Sequence, residues 1–335
     1  MTVDARVPPS GSRILYPNLP TPLTPTDLDR LFSPGYADRQ WVLTVARTPR
    51  SQVAVLVQLL AFRAVGRFLT VEDIPASVVE YVAREFKVRA NTAVRLTNSK
   101  YSARTWYRHQ DVILAYLGVM AWGDQAQQLA ESTMMKMAEA RTDPADLINA
   151  AVDALVRHRF ELPALIALRR MAGTAHHAVN ERQWRQVCSQ LKDSHREELE
   201  TLLVVAPDAR ESPFAQLCSG AGRATRKNLK ALVERYAWLL TLPDPTKPLE
   251  SIANAKVLQW ANEARRLKAP ELRAYGAIRR RTLLLAVIRE ARGRILDGMT
   301  QMLLKLARKI EWRSDEHLNG GPLVFGAIAY GRICR

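Results

Sequence analysis

Residues 47–69 read RTPRSQVAVLVQLLAFRAVGRFL, and this stretch decides the fold. Thr48 followed by Pro49 has the form of an N-cap and a first helical residue, because proline has no N–H to lose there and its φ is already helical. Val53, Leu56, Val57, Leu60 and Ala64 then recur at helical spacing, and Gly66 supplies a left-handed stop. The spacing predicts a helix over 49–65. Working outward, the same punctuation repeats. Thr24-Pro25-Thr26-Asp27 has the form of a capping box and predicts a short helix through Phe32. Ile74-Pro75 opens another, with Val78, Val79, Val82 and Phe86 on its apolar side. Ser102 can cap a helix carrying Trp106, Ile113, Leu114 and Leu117, ended by Gly118. Asp143-Pro144-Ala145-Asp146 starts one whose stripe is Leu147, Ile148, Ala151, Val152, Leu155 and Val156.

Beyond Pro163 the periods lengthen. Helices are predicted over 177–205, 223–242, 249–268 and 271–310, separated by Pro207, the Gly220–Gly222 stretch, Pro243-Asp244-Pro245 and Pro270. No stretch alternates apolar and polar residues as a half-buried strand would. The expected fold class is all-α, with tandem small helix-turn-helix-like modules followed by a bundle of longer helices. The expected division is a Pro-rich extended arm over 1–23, helical modules over 24–160, a longer-helix region over 161–317 and an atypical tail over 318–335. Order is expected to begin only after the arm.

The chain has 335 residues, 47% hydrophobic and 24% charged, a balance that excludes disordered and collagen-like classes. Its 49 Lys+Arg against 33 Asp+Glu give a formal charge of +16, an excess that repels itself unless a polyanion shares the surface. Residues 1–165 hold 19 basic and 16 acidic side chains, and residues 166–335 hold 30 and 17. Cys188, Cys218 and Cys334 are too far apart for a disulfide framework or a zinc half-site, which fits a reducing compartment. The first residues lack the apolar stretch of a signal peptide, and no run approaches the ~18 apolar residues of a membrane span. A cytoplasmic, nucleoid-associated protein is expected.

Two basic clusters are candidate phosphate contacts. From 84 to 108 stand Arg84, Lys87, Arg89, Arg95, Lys100, Arg104 and Arg108 against a single acid, Glu85. A helix beginning near 103 could approach phosphates with its N–H groups while presenting arginine to base edges. A solvated basic face fits that run equally well. Trp106 and Tyr107 read as packing residues before base-stacking ones. Arg223, Arg226, Lys227 and Lys230 fall at i, i+3, i+4 and i+7, on one face of the helix expected from 223. At least one of Arg279, Arg280 and Arg281 is expected to face solvent. His109, His158, His176, His177, His195 and His317 show no metal-ligand spacing, and no P-loop or nucleophile elbow is present. The Gly-x-Gly at 220–222 follows no strand and is discounted as a nucleotide loop.

The run from Arg47-Thr48-Pro49-Arg50 through Gln58-Leu59-Leu60 to Gly66-Arg67-Phe68-Leu69, then Ile74-Pro75-Ala76 and Val79-Glu80-Tyr81-Val82-Ala83, resembles the N-terminal domain of Tn3-family transposases, a DUF4158-type domain. The likeness continues through Tyr101, Arg104, His109 and Leu117-Gly118, through Glu161-Leu162-Pro163 with Leu168-Arg169-Arg170, and through Arg280-Arg281-Thr282-Leu283 to Lys309-Ile310. It covers roughly 13–316 and rests on an ordered series rather than on one diagnostic motif.

The resemblance implies that this region binds the terminal inverted repeats of a transposon as double-stranded DNA. The candidate DNA contacts on this chain are Arg63, Arg67, Lys87, Arg89, Arg95, Lys100, Arg104, Arg108, Arg223, Arg226, Lys227 and Lys230. In the family, strand cleavage belongs to a later RNase H-like domain whose Asp-Asp-Glu triad uses Mg²⁺, so neither a cofactor nor enzymatic activity is expected of this portion alone. After His317 the family pattern is lost, as an early stop or a frame change near 318 would produce. The alternative is a helical protein whose 271–310 helix mediates self-association as a homodimer, its basic surface being incidental.

Overall fold

The computed structural model describes residues 13–70, 72–88, 103–207 and 209–320, without the side chains of 103–105 and 313–320. Among the described residues the chain forms fourteen helices and no strand, so the all-α expectation holds. The chain divides into two compact units, Met1–Arg182 and Gln183–Arg335.

In the first unit, α1 (Pro25–Phe32), α2 (Tyr36–Val45), α4 (Ala76–Glu85) and α5 (Ala103–Leu117) are arranged about α3 (Pro49–Val65). The predicted punctuation is present. Thr24 Oγ1 accepts from the Asp27 N–H and Asp27 returns a carboxylate to Thr24, closing the capping box; Thr48 caps the Ser51 N–H; Gly66 stops α3 at φ 72°. Every residue of α3 from Val53 to Phe62 is buried, including Gln58, because its neighbours surround it. Each such aliphatic side chain contributes roughly 1.5–3 kcal/mol on burial.

α6 (Asp124–Ala138) and α7 (Pro144–Arg157) pair with each other, and their core of Ala130, Met134, Leu147, Ala151 and Leu155 is completed by Leu168, Ala172 and Val179 of α8 (Leu165–Ser189). Leu168, Ala172, Ala175 and Val179 are spaced as one helical stripe, so α8 from its first turn belongs to the same unit as α6 and α7. The sequence division after 160 therefore falls inside this unit rather than at its edge. One further expectation is corrected here. Order precedes residue 24: Tyr16 is buried in the α6–α8 core, its hydroxyl donates to the Pro163 carbonyl, and Asn149 exchanges hydrogen bonds with Arg13 and Leu15. Residues 13–23 are extended, but an aromatic anchor and a clamp from α7 hold them.

In the second unit α9 (Asp193–Thr201), α10 (Pro213–Cys218), α11 (Arg226–Thr241) and α12 (Asn254–Arg265) pack on α14 (Ala277–Gly320), with the short α13 (Ala269–Arg273) before it. The six consecutive residues Leu283 to Ile288 are fully buried, which only a helix enclosed on all sides allows. The long-period predictions shift accordingly. The helix expected over 177–205 starts at Leu165 and breaks at Gln190–Lys192; that over 271–310 splits before Ala277 and runs on to Gly320; α2, α6 and α10 are helices beyond those expected. Among the described residues no helix is long and apolar enough to cross a membrane.

Candidate nucleic-acid interface

α5 presents two sides of different chemistry. Trp106, Ile113 and Leu114 face the core, while Tyr107 (65% exposed), Arg108, Asp111, Val112 and Ala115 are exposed along the other side. The adjacent aromatics thus split, Trp106 into the core as expected and Tyr107 into solvent. Arg104 stands one turn before Arg108 on the same helix. Its side chain, the connector residues Arg89, Arg95 and Lys100, and the Ser102 cap lie outside the described residues.

Two polar links fix α5 against α2 and α3. The Gln58 amide lies 3.1 Å from His109 Nδ1, and burial followed by the charge of Arg108 pushes the His109 imidazolium down, so a neutral ring accepts there. At the other end Tyr116 donates to Asp38 at 3.1 Å and stacks on Trp41 with ring centroids 4.1 Å apart. Asp38 also receives both Arg63 guanidinium nitrogens at 2.7 Å. Arg63 is thus paired inside the unit with a buried carboxylate and ties α2 to α3, while its side chain keeps 38% exposure. Arg67 donates to Asn18 at 2.9 Å and lies over the Tyr16 ring at 5.4 Å. Lys87 is exposed at the C-terminal end of α4 with φ 56°, the left-handed position that glycine usually takes, and the Val88 N–H returns to the Ala83 carbonyl at 2.9 Å.

In the second unit two sets of basic side chains differ in their surroundings. Arg279 pairs with Glu263 and lies over the rings of Tyr275 and Trp184; Arg280 and Arg281 both bind Glu200; Arg292 binds Asp244 and the Leu239 carbonyl; Arg265 binds Glu290. Carboxylates engage all three of Arg279, Arg280 and Arg281, and of these Arg279, with its side chain 38% exposed, is the one that faces solvent most.

The other group is Arg223, Arg226, Lys227 and Lys230, all exposed. α11 begins at Arg226, not at 223, because Thr225 Oγ1 caps the Asn228 N–H and the Asn228 amide holds the Arg223 carbonyl at 2.8 Å. Arg223 thus stands in the turn before the helix, and Arg226, Lys227 and Lys230 occupy its first turns with no acid in the first. Cations at a helix N-terminus oppose the macrodipole by ~0.3–1 kcal/mol each. Their only ion pair among the described residues is an exposed one, Lys230 to Glu234 at 3.9 Å. This arrangement is set to receive an anion. Among the described residues no three His, Cys, Asp or Glu side chains form a group that could hold a metal ion. Sequence reasoning missed Asp38, whose partners Arg63 and Tyr116 lie 25 and 78 residues away along the chain.

Residues 12–175 match the family model described as a domain of unknown function, DUF4158. Over 287 residues the chain is 23% identical to the transposase for transposon Tn501 of Pseudomonas aeruginosa, covering 85% of this chain and 28% of that protein. Over 272 residues it is 21% identical to the transposase for transposon Tn3926 of Escherichia coli, covering 80% and 27%. The chain thus spans little more than a quarter of the length of the curated relatives it matches. Residues 12–175 are thus similar to the DUF4158 domain, and most of the chain is similar to part of these two transposases.

Proposed function

We propose that this chain recognises the terminal inverted repeats of a transposon as double-stranded DNA in a Tn3-like transposition system. The observation that carries the reading is the exposed cationic start of α11, where Arg226 and Lys227 oppose the helix dipole, whereas Arg279, Arg280, Arg281 and Arg292 of α14 are held by carboxylates. A phosphate backbone supplies the anion that relieves this repulsion, and the α11 N–H groups add to its binding. On α5, Arg108, Tyr107 and the small apolar Val112 and Ala115 offer a face suited to a groove, with arginine for guanine edges and methyl contacts for thymine. The proposal concerns recognition; strand cleavage and Mg²⁺ binding are assigned to no residue of this chain.

The test is fluorescence anisotropy with a duplex carrying the element's terminal inverted repeat and a shuffled duplex of equal length. Four phosphates neutralised around α11 imply that affinity falls roughly 100-fold between ~50 and ~200 mM salt, with the terminal repeat bound more tightly throughout. Binding that is equal for both duplexes and insensitive to salt would refute the proposal. Replacing Arg104 and Arg108 with alanine weakens binding; unchanged affinity removes α5 from the interface.

Self-association is a second reading favoured by one observation. Leu296, Leu303 and Ile310 of α14 are exposed at seven-residue spacing, the seam of a helix pair. Light scattering with and without DNA separates the readings: a dimer without DNA affinity supports this one alone.

A further inference from the structure

We infer that Arg235 and Arg294 are positioning residues for the phosphate contacts of α11, an inference that rests on the DNA-binding reading above. Arg294 of α14 donates to the Ser219 and Leu217 carbonyls, both at 2.6 Å, while its Nε holds Glu290 at 3.0 Å. Arg235 of α11 donates to the same Ser219 carbonyl at 2.8 Å, to Leu217 at 3.3 Å and to Gly220 at 3.5 Å. Two guanidinium groups therefore converge on the end of α10 and the turn that leads into α11. Beneath that turn α14 carries Gly298, where an added Cβ would stand 3.0 Å from the Ala221 Cβ.

The turn needs this grip. Between Leu217 and Leu232 no apolar side chain is fully buried, Gly220 has open space around it, and Gly222 takes φ 72°. Of residues 218–224 only the small side chains of Cys218, Ala221 and Ala224 pack on the core, each half-buried, which leaves the direction in which α11 starts to be set by polar contacts as well. Carbonyls at a helix C-terminus carry partial negative charge, so one arginine there is favourable. A second on the same two carbonyls sets like charges side by side, with Glu290 already shared between Arg294 and Arg265. Joining α10 to α11 requires only a cap. Two forks on one pair of carbonyls fix the turn in direction as well as position, because each planar guanidinium orients what it binds. The elements that this direction sets are the Thr225 cap and the cations Arg226, Lys227 and Lys230 that follow it.

A double-mutant cycle on the whole chain tests this, with a labelled mixed-sequence duplex as the probe. Arg294→Gln and Arg235→Gln are each measured in the wild type and in a background neutralised as Arg226→Gln, Lys227→Gln and Lys230→Gln. In the wild-type background Arg294→Gln weakens binding about 3- to 10-fold and makes the slope of log affinity against log salt shallower by about 1 to 2, as loss of one or two phosphate contacts requires. In the neutralised background it changes affinity less than ~2-fold, because the contacts through which it acts are gone. Arg294→Lys, which keeps the charge and loses the fork, behaves as Arg294→Gln, and thermal melts confirm that each variant is folded. An equal loss in both backgrounds, or none in the wild type, overturns the positioning role. If neutralising the three cations itself leaves binding unchanged, the DNA-binding reading of α11 fails instead.

Discussion

Replacing Asp38 with asparagine tests the polar link on which the first unit is assembled. Asp38 is 4% exposed and accepts two hydrogen bonds from Arg63 at 2.7 Å, one from Tyr116 at 3.1 Å and one from the Gly35 N–H at 3.1 Å. Burial works to raise its carboxyl, but the Arg63 hydrogen bonds and charge, with those of Tyr116 and Gly35, outweigh it and hold the group below the usual carboxylate range. Breaking a fully buried pair costs ~3–5 kcal/mol, chiefly through the charge left behind. The Arg63 side chain keeps 38% of its exposure, so water recovers part of that and about 2 kcal/mol is the expected loss. With a urea slope of roughly 1–3 kcal/mol per molar, the first unit's midpoint should drop by about 1 M at pH 7.

The pH dependence has a definite sign. A carboxyl with a depressed folded pKa contributes stability above its unfolded value of about 3.9, and that stability is lost as pH falls through the folded value. The gap between wild type and Asp38→Asn is therefore constant near neutrality and narrows below about pH 4. Urea melts of both proteins at pH 7 and at pH 3, followed by Trp41 fluorescence, measure it. A midpoint unchanged at pH 7, or a gap as wide at pH 3 as at pH 7, would refute the reasoning.

Three further outcomes are expected. Gly66→Ala places a side chain at φ 72° where α3 stops; it should cost about 1 kcal/mol and lower Tm by roughly 2–4 °C, and a Tm equal to wild type contradicts the cap. Lys87→Gly relieves the left-handed position at φ 56° and should raise Tm slightly while lowering duplex affinity about 3-fold, the share of one phosphate; a gain in stability without loss of binding removes Lys87 from the interface. Burial raises the Glu161 carboxyl despite hydrogen bonds from the Trp122 and Phe68 N–H groups. Its folded form thus holds a proton more tightly than the unfolded chain, which destabilises the fold as pH rises above the unfolded value. Glu161→Gln should be neutral or stabilising at pH 7 in thermal denaturation, and a large loss of Tm would show that its charge is needed.

The starts and stops of α1, α3 and α7 were legible because capping is a local event. Thr24, Thr48 and Asp143 satisfy N–H groups two or three residues away, and Gly66 ends its helix with its own φ. The signals failed where support comes from afar. α2 starts after Gly35 without a side-chain oxygen on its cap, so no local mark announces it. Residues 13–23 carry prolines that read as a detached arm, yet Tyr16 finds a cavity built by helices more than a hundred positions later.

The charge pattern divides in the same way. Sequence alone determined that the chain is helical and strongly basic, because periodicity and caps are properties of neighbours along the chain and charge is set by composition. Only the tertiary structure decided which cations remain for a partner. Arg63 finds Asp38 25 residues before it, and Arg280 and Arg281 find Glu200 some 80 residues before them, whereas Arg226 and Lys227 meet no carboxylate among the described residues. A guanidinium reaches whatever packing brings within a few ångströms, and the core sets that distance independently of separation along the chain.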